Sequence, residues 1–93
     1  MFKELLSKIV RYTEFNFQNA NNKDVERSHT TSGAVSAYLD VMRMIGHQVD
    51  HGDWDDCGCL RVGFIQINNT YIVRNSEIDY VAVQQLMGAN HYE

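Results

Sequence analysis

The fold class this sequence predicts is a single α+β domain, and three observations lead to it. Apolar residues recur at helical spacing through the first half, β-branched and aromatic runs cluster between residues 59 and 74, and helical spacing returns near the C-terminal end. The 93 residues are 44% hydrophobic and 22% charged, the range of an ordinary globular chain, and no proline, repeat or Gly/Ser-rich linker divides them. Strands this few, adjacent in sequence, rule out a three-layer parallel fold.

Phe2, Leu5, Leu6, Ile9, Val10 and Thr13 share one helical face and Lys3, Glu4, Lys8 and Arg11 the other, which predicts an amphipathic helix over residues 2 to about 18. The amide-rich run from Asn16 to Asn22 competes with the backbone for hydrogen bonds and is expected to end it. A second helix is expected to open within Ser28 to Ser32, where several hydroxyls can cap it. It should carry the stripe Ala34, Val35, Tyr38, Val41, Met42 and Ile45, and stop at Gly46. Weak alternation around Val49 predicts a short strand over 47–51, and residues 52–58 read as a loop.

The β-rich runs 59–67 and 70–74 are separated by Asn68 and Asn69, which tolerate positive φ. They predict a hairpin over 59–74, the centre of a two- or three-stranded antiparallel sheet. A two-residue turn there sets Ile67 opposite Thr70, Ile65 opposite Ile72 and Phe64 opposite Val73. Ser76 to Asp79 resembles a capping box opening a C-terminal helix through Ile78, Val81, Ala82, Leu86 and Met87 to Gly88, with 89–93 as a frayed tail. The expected core is Leu5, Leu6, Ile9, Val10, Val35, Tyr38, Val41, Met42, Ile45, Val62, Phe64, Ile72, Val73, Val81 and Leu86.

Residues 47–59 concentrate the chemistry. They hold four of the twelve carboxylates, both cysteines, two of the four histidines and the one tryptophan. Asp50, Asp53, Asp55 and Asp56 around Trp54 read as a partner-binding group, an aromatic anchor in an acidic rim that steers toward a basic surface. Two metal readings share the segment. His47, His51, Cys57 and Cys59 are the donors of a Cys2His2 zinc set, although C-x-C with H-x3-H departs from the usual spacing. The aspartates are hard-cation ligands, but D-x2-D-x-D-D lacks the glycine and distal glutamate of a calcium loop. Thr31, Ser32 and Gly33, at the expected start of the second helix, would present hydroxyls and amides to a small anion.

Other classes are disfavoured. No stretch approaches the roughly 18 apolar residues of a membrane span, and the charged N-terminal segment is not a signal peptide, so the expected location is cytoplasmic. A net charge of −4 without a basic stripe argues against duplex nucleic acid as a direct partner. Cysteines two apart cannot bridge each other, and no nucleophile elbow or oxyanion motif is present, so no enzyme and no obligatory cofactor is expected. The sequence therefore points to a small non-enzymatic binding protein that inhibits or modulates a larger, nucleic-acid-handling intracellular protein. Phage and mobile elements encode such proteins as anti-defence (anti-CRISPR-like) inhibitors. The alternatives are a zinc-dependent regulator built on His47, His51, Cys57 and Cys59, and a dimeric binder of a small anionic ligand.

Overall fold

A computed structural model describes residues 1–52, the backbone of 54–56, and residues 59–88. It shows three helices, α1 (Phe2–Asn21), α2 (Val25–Met44) and α3 (Tyr80–Met87). The strands are β1 (Val49–His51), β2 (Trp54–Asp56), β3 (Leu60–Val62), β4 (Ile65–Ile67), β5 (Thr70–Arg74) and β6 (Glu77–Ile78). Two N-terminal helices, an antiparallel sheet and a C-terminal helix make the α+β fold expected. Among the described residues no helix is long and apolar enough to cross a membrane.

α1 runs a turn beyond the expected end because the asparagines find tertiary partners instead of competing with the helix backbone. Asn16 is fully buried and Asn19 donates to the Arg27 carbonyl. Lys23 takes φ 56° in the short connection, and the amides of Asn22 and Asp24 close on the Gln18 and Asn19 carbonyls. α2 then begins earlier than expected. Its N-cap is Asp24, whose carboxylate accepts from the Arg27 amide at 3.1 Å. The helices run antiparallel, as Asn16 bonds Ser28, Tyr12 stacks on Tyr38 at 5.5 Å, and Phe2 packs on His47 at 4.6 Å.

The buried face of α2 is Ser28, Ser32, Val35, Leu39 and Met42, rotated from the stripe the sequence indicated. Leu39 is buried, whereas Val41 and Ile45 are each 40% exposed. α2 is nearly as apolar on one side as on the other, so periodicity alone does not fix which side turns inward. Its end follows expectation: Gly46 sits at φ 102° and the His47 amide reaches back to the Met42 carbonyl.

The main sheet has the order β1-β4-β5-β6, all antiparallel. Asn68 and Asn69 at φ 50° and 67° form the anticipated tight turn, and Asn75 and Ser76 at 52° and 59° make a second one between β5 and β6. Thr70 faces Ile67 as expected, but a register shift between Ile65 and Gln66 sets Val73, not Ile72, opposite Ile65. With this irregularity Ile72 and Val73 are both buried. The Ser76–Asp79 run is not a capping box. Ser76 lies in the turn, Glu77 and Ile78 pair with β5, and Asp79 is itself the cap of α3, accepting from the Ala82 amide at 3.0 Å. Val81, expected in the core, is exposed, and Ala82 and Val83 are buried instead. One hydrophobic cluster joins Phe2, Leu6 and Ile9 of α1, Val35, Leu39 and Met42 of α2, Ile65, Ile67 and Ile72 of the sheet, and Leu86 of α3.

Candidate functional site

The expected loop over 52–58 is in part strand. β2 pairs with β3 in a separate two-stranded sheet, Trp54 opposite Val62 and Asp56 opposite Leu60. The main sheet sets Val49 opposite Ile67 and His51 opposite Ile65. From Val49 to Trp54 and from Ile67 to Val62 are both five residues, so no register is lost between the two pairings. They are the two halves of one long hairpin. At the junction the Gly52 amide donates to the Phe64 carbonyl at 3.0 Å, and the Phe64 ring lies over Gly52 so closely that a Cβ there would sit 2.9 Å from Cδ1. Only glycine leaves room for the ring.

β3 is the inner strand of this outer arm and packs against α1 and α2. Two buried helix side chains hold it. Asn16 Nδ2 donates to the Leu60 carbonyl at 2.9 Å and the Ser28 carbonyl at 3.0 Å, and Ser28 Oγ accepts from the Leu60 amide at 3.2 Å. Leu60 is thus bonded to the helices through both of its backbone groups. β2, whose described pairing is to β3 alone, forms the outer edge, and it continues β1, the edge of the main sheet. Along β1 that edge is occupied by side chains. Asp50 accepts from the His51 amide at 2.9 Å, and Arg43, paired with Asp40 at 2.8 Å, donates through Nε to the Val49 carbonyl at 3.3 Å.

The residues singled out from the sequence are distributed as follows. Asp50 is exposed on β1. Asp53 and Cys57 lie outside the described residues, as do the side chains of Trp54, Asp55 and Asp56, whose backbones form β2. His47 packs on Phe2 and meets Asn68; because Asn68 Oδ1 accepts from the Gln48 amide, its Nδ2 faces His47 Nδ1, which accepts at 3.0 Å. His51 Nδ1 donates to the Gly52 carbonyl at 2.9 Å. Among the described residues no three His, Cys, Asp or Glu side chains gather to hold a metal, and Cys59 is a half-buried free thiol. Thr31, Ser32 and Gly33 are not at a helix start but two turns inside α2. Thr31 donates to the Arg27 carbonyl and Ser32 to the His29 carbonyl. Those hydroxyls serve the helix backbone, and the amides of that stretch are already in its ladder.

Compared with protein-family models, curated proteins and solved structures, the chain matches none. Its site is therefore read from geometry: an acidic outer strand, backed by a strand that two polar side chains fasten to the helices. Asn16 and Ser28 were not recognised in the sequence. A signal was present for Asn16, which stands in the series Ile9, Thr13, Asn16, Ala20, the spacing of the face that turns inward.

Proposed function

We propose that this protein is a small, non-enzymatic binding module that docks its acidic outer arm, residues 50–56, on a basic surface of a larger protein. The observation that carries the reading is the place of the acidic residues. Asp50 belongs to β1, and the backbones of Asp55 and Asp56 belong to β2, which pairs with a strand fixed to the helices, so this part of the acidic run is carried on strand backbone. Backbone held in a strand limits the ordering cost of binding, and clustered carboxylates accelerate encounter with a cationic partner. A surface that ordinarily receives phosphates is the partner class this charge fits, and an inhibitor of a CRISPR or restriction protein would be one example. Trp54 is the anchor in this reading, with the four aspartates as its rim.

Charges on an exposed edge also protect it from pairing with other strands, and one experiment separates the two roles. Immobilised wild-type protein and the Asp50→Asn, Asp53→Asn, Asp55→Asn, Asp56→Asn quadruple variant are exposed to lysate of the source cell, and retained proteins are quantified at low and high salt. Docking requires a stoichiometric partner that the wild type retains, that the variant retains at least about tenfold less, and that salt releases. Identical retention by both proteins overturns the reading.

A further inference from the structure

A second concave site is built from residues that the acidic arm does not use. Where the last turns of α1 pass the β5–β6 turn and the start of α3, a cleft of about 440 Å³ opens. It is lined on one side by Glu14, Phe17 and Asn21 and on the other by Glu77, Ile78 and Tyr80. Its floor is anchored, because Phe17 and Ile78 pack against the hydrophobic core. Its wall is anchored too: Tyr80 reaches from α3 to α1 and donates its hydroxyl to Glu14 Oε2 at 2.7 Å. The charge at this cleft has one sign. Neither Glu14 nor Glu77 is in an ion pair, since among the described residues those pairs are Arg27–Asp24 and Arg43–Asp40. Arg74, which stands opposite Glu77 across β5 and β6, turns instead onto the Tyr71 ring at 4.4 Å. α1 ends at the cleft with no basic residue in its last turn, so the negative end of its dipole is left uncompensated there. The basic side chain that reaches a lining residue is Arg61, 3.4 Å from Asn21 Oδ1.

We infer that this cleft binds a small aliphatic amine, whose ammonium group is held by the Glu14 and Glu77 carboxylates and whose carbon chain rests on Phe17, Ile78 and Tyr80. An ammonium brings three N–H donors. Among the described residues no donor reaches Glu14 Oε1 or the Glu77 carboxylate, so acceptors are present that the fold itself does not use. The aromatic walls add to the attraction, because a ring face is negative and draws a cation, while its carbon surface accepts methylenes. The volume lies within the range of small-molecule sites. Other ligand classes fit less well. An anion meets two carboxylates and a helix C-terminus. A divalent metal takes six or more oxygens, and among the described residues no three His, Cys, Asp or Glu side chains gather. The net charge of −4 favours the approach of a cation from any direction.

Amide chemical shifts of the labelled protein, followed at pH 7 and constant ionic strength while n-butylamine is added, test the inference. Butylammonium is expected to shift the amides of 14–21 and 76–80 saturably, with a Kd of about 1–10 mM, the strength that so small a ligand in an open cleft supports. 1-Butanol, its neutral match, is expected to leave them in place. Glu14→Gln and Glu77→Gln should each weaken binding at least about fivefold with circular dichroism unchanged, whereas Asp50→Asn, which removes an equal charge elsewhere, should not. No saturable shift up to about 100 mM overturns the inference. So do equal shifts with butanol, wild-type affinity in both glutamine variants, or shifts that Asp50→Asn reduces as much as they do. Tighter binding of Nα-acetyl-lysine methylamide than of butylamine assigns the cleft to a lysine of another protein and overturns the free-amine assignment.

Discussion

Asn16 is the residue whose replacement most directly tests how the acidic arm is held. Its side chain is fully buried, and its amide hydrogens face two backbone carbonyls, Ser28 at 3.0 Å and Leu60 at 2.9 Å, with Thr31 Oγ1 at 3.3 Å. Two carbonyls on one side fix the amide orientation, and Oδ1, turned away, has no partner among the described residues. Asn16→Ala deprives the Leu60 carbonyl of its side-chain donor, a loss of about 1–3 kcal/mol, whereas the Ser28 carbonyl keeps the Thr31 hydroxyl at 3.2 Å and its place in the α2 ladder; the change also removes an orphan acceptor and the packing of a buried side chain. The net expectation is about 1 kcal/mol of destabilisation. Asn16→Asp keeps the shape and reverses the chemistry. An ionised carboxylate would place oxygen against both carbonyls, and a protonated one can donate to only one, so the deficit at pH 7 rises to about 3–5 kcal/mol. Such an acid has its folded-state pKa raised above the unfolded value near 4, so its protonated form is favoured on folding. The deficit relative to wild type must therefore shrink as pH falls toward 4 and grow as pH rises above it. Urea unfolding followed by circular dichroism at pH 7 and pH 4.5 measures both quantities. Native-state hydrogen exchange of Asn16→Ala should show the β3 amides losing protection before those of β4 and β5. An Asn16→Ala cost below about 0.5 kcal/mol, or an Asn16→Asp deficit that is the same at both pH values, refutes the assignment of Asn16 as the anchor of Leu60.

Two further outcomes are expected. Gly52→Ala should cost about 1–2 kcal/mol, because the Phe64 ring must leave its place beside Tyr71. In a Phe64→Ala background the same change should be nearly free, and a double-mutant cycle additive within about 0.3 kcal/mol would exclude the contact. Tyr80 donates its hydroxyl to Glu14 Oε2 at 2.7 Å, which raises its pKa through that hydrogen bond first, then through desolvation and the carboxylate charge. A raised folded pKa means the contribution is present below the usual tyrosine value of 10.0 and lost as pH climbs through the folded one. Since Tyr80 is 54% exposed, Tyr80→Phe should cost less than about 1 kcal/mol at pH 8. The difference in melting temperature should begin to shrink above pH 10 and go on shrinking as pH rises through the raised folded-state value; one that stays constant with rising pH removes the role given to Glu14.

Local signals in the sequence reached the element types and several of their ends. The amphipathic spacing of Phe2 to Thr13 gave α1, Gly46 gave the stop of α2, and Asn68-Asn69 gave the tight turn. In each case a few neighbouring residues define the conformation by sterics or by the contrast between their two faces. What depended on partners distant in sequence was not legible. Asn16 extends α1 where asparagines ordinarily break a helix, because carbonyls 12 and 44 residues away receive its amide. α2 offers apolar residues all round, so its inward side is selected by what Ser28 and Leu39 meet. Ile72 is displaced from its simple pairing because an irregularity lets two consecutive residues of β5 be buried. The run from His47 to Cys59 shows the same division. Its acids, thiols and imidazoles were evident from composition. Only the pairing of β2 with β3, in register with β1 and β4, turned part of an apparent loop into strand; β3 begins just past that run, and it is held by Asn16 and Ser28, 44 and 32 residues before Leu60, which local composition does not reveal.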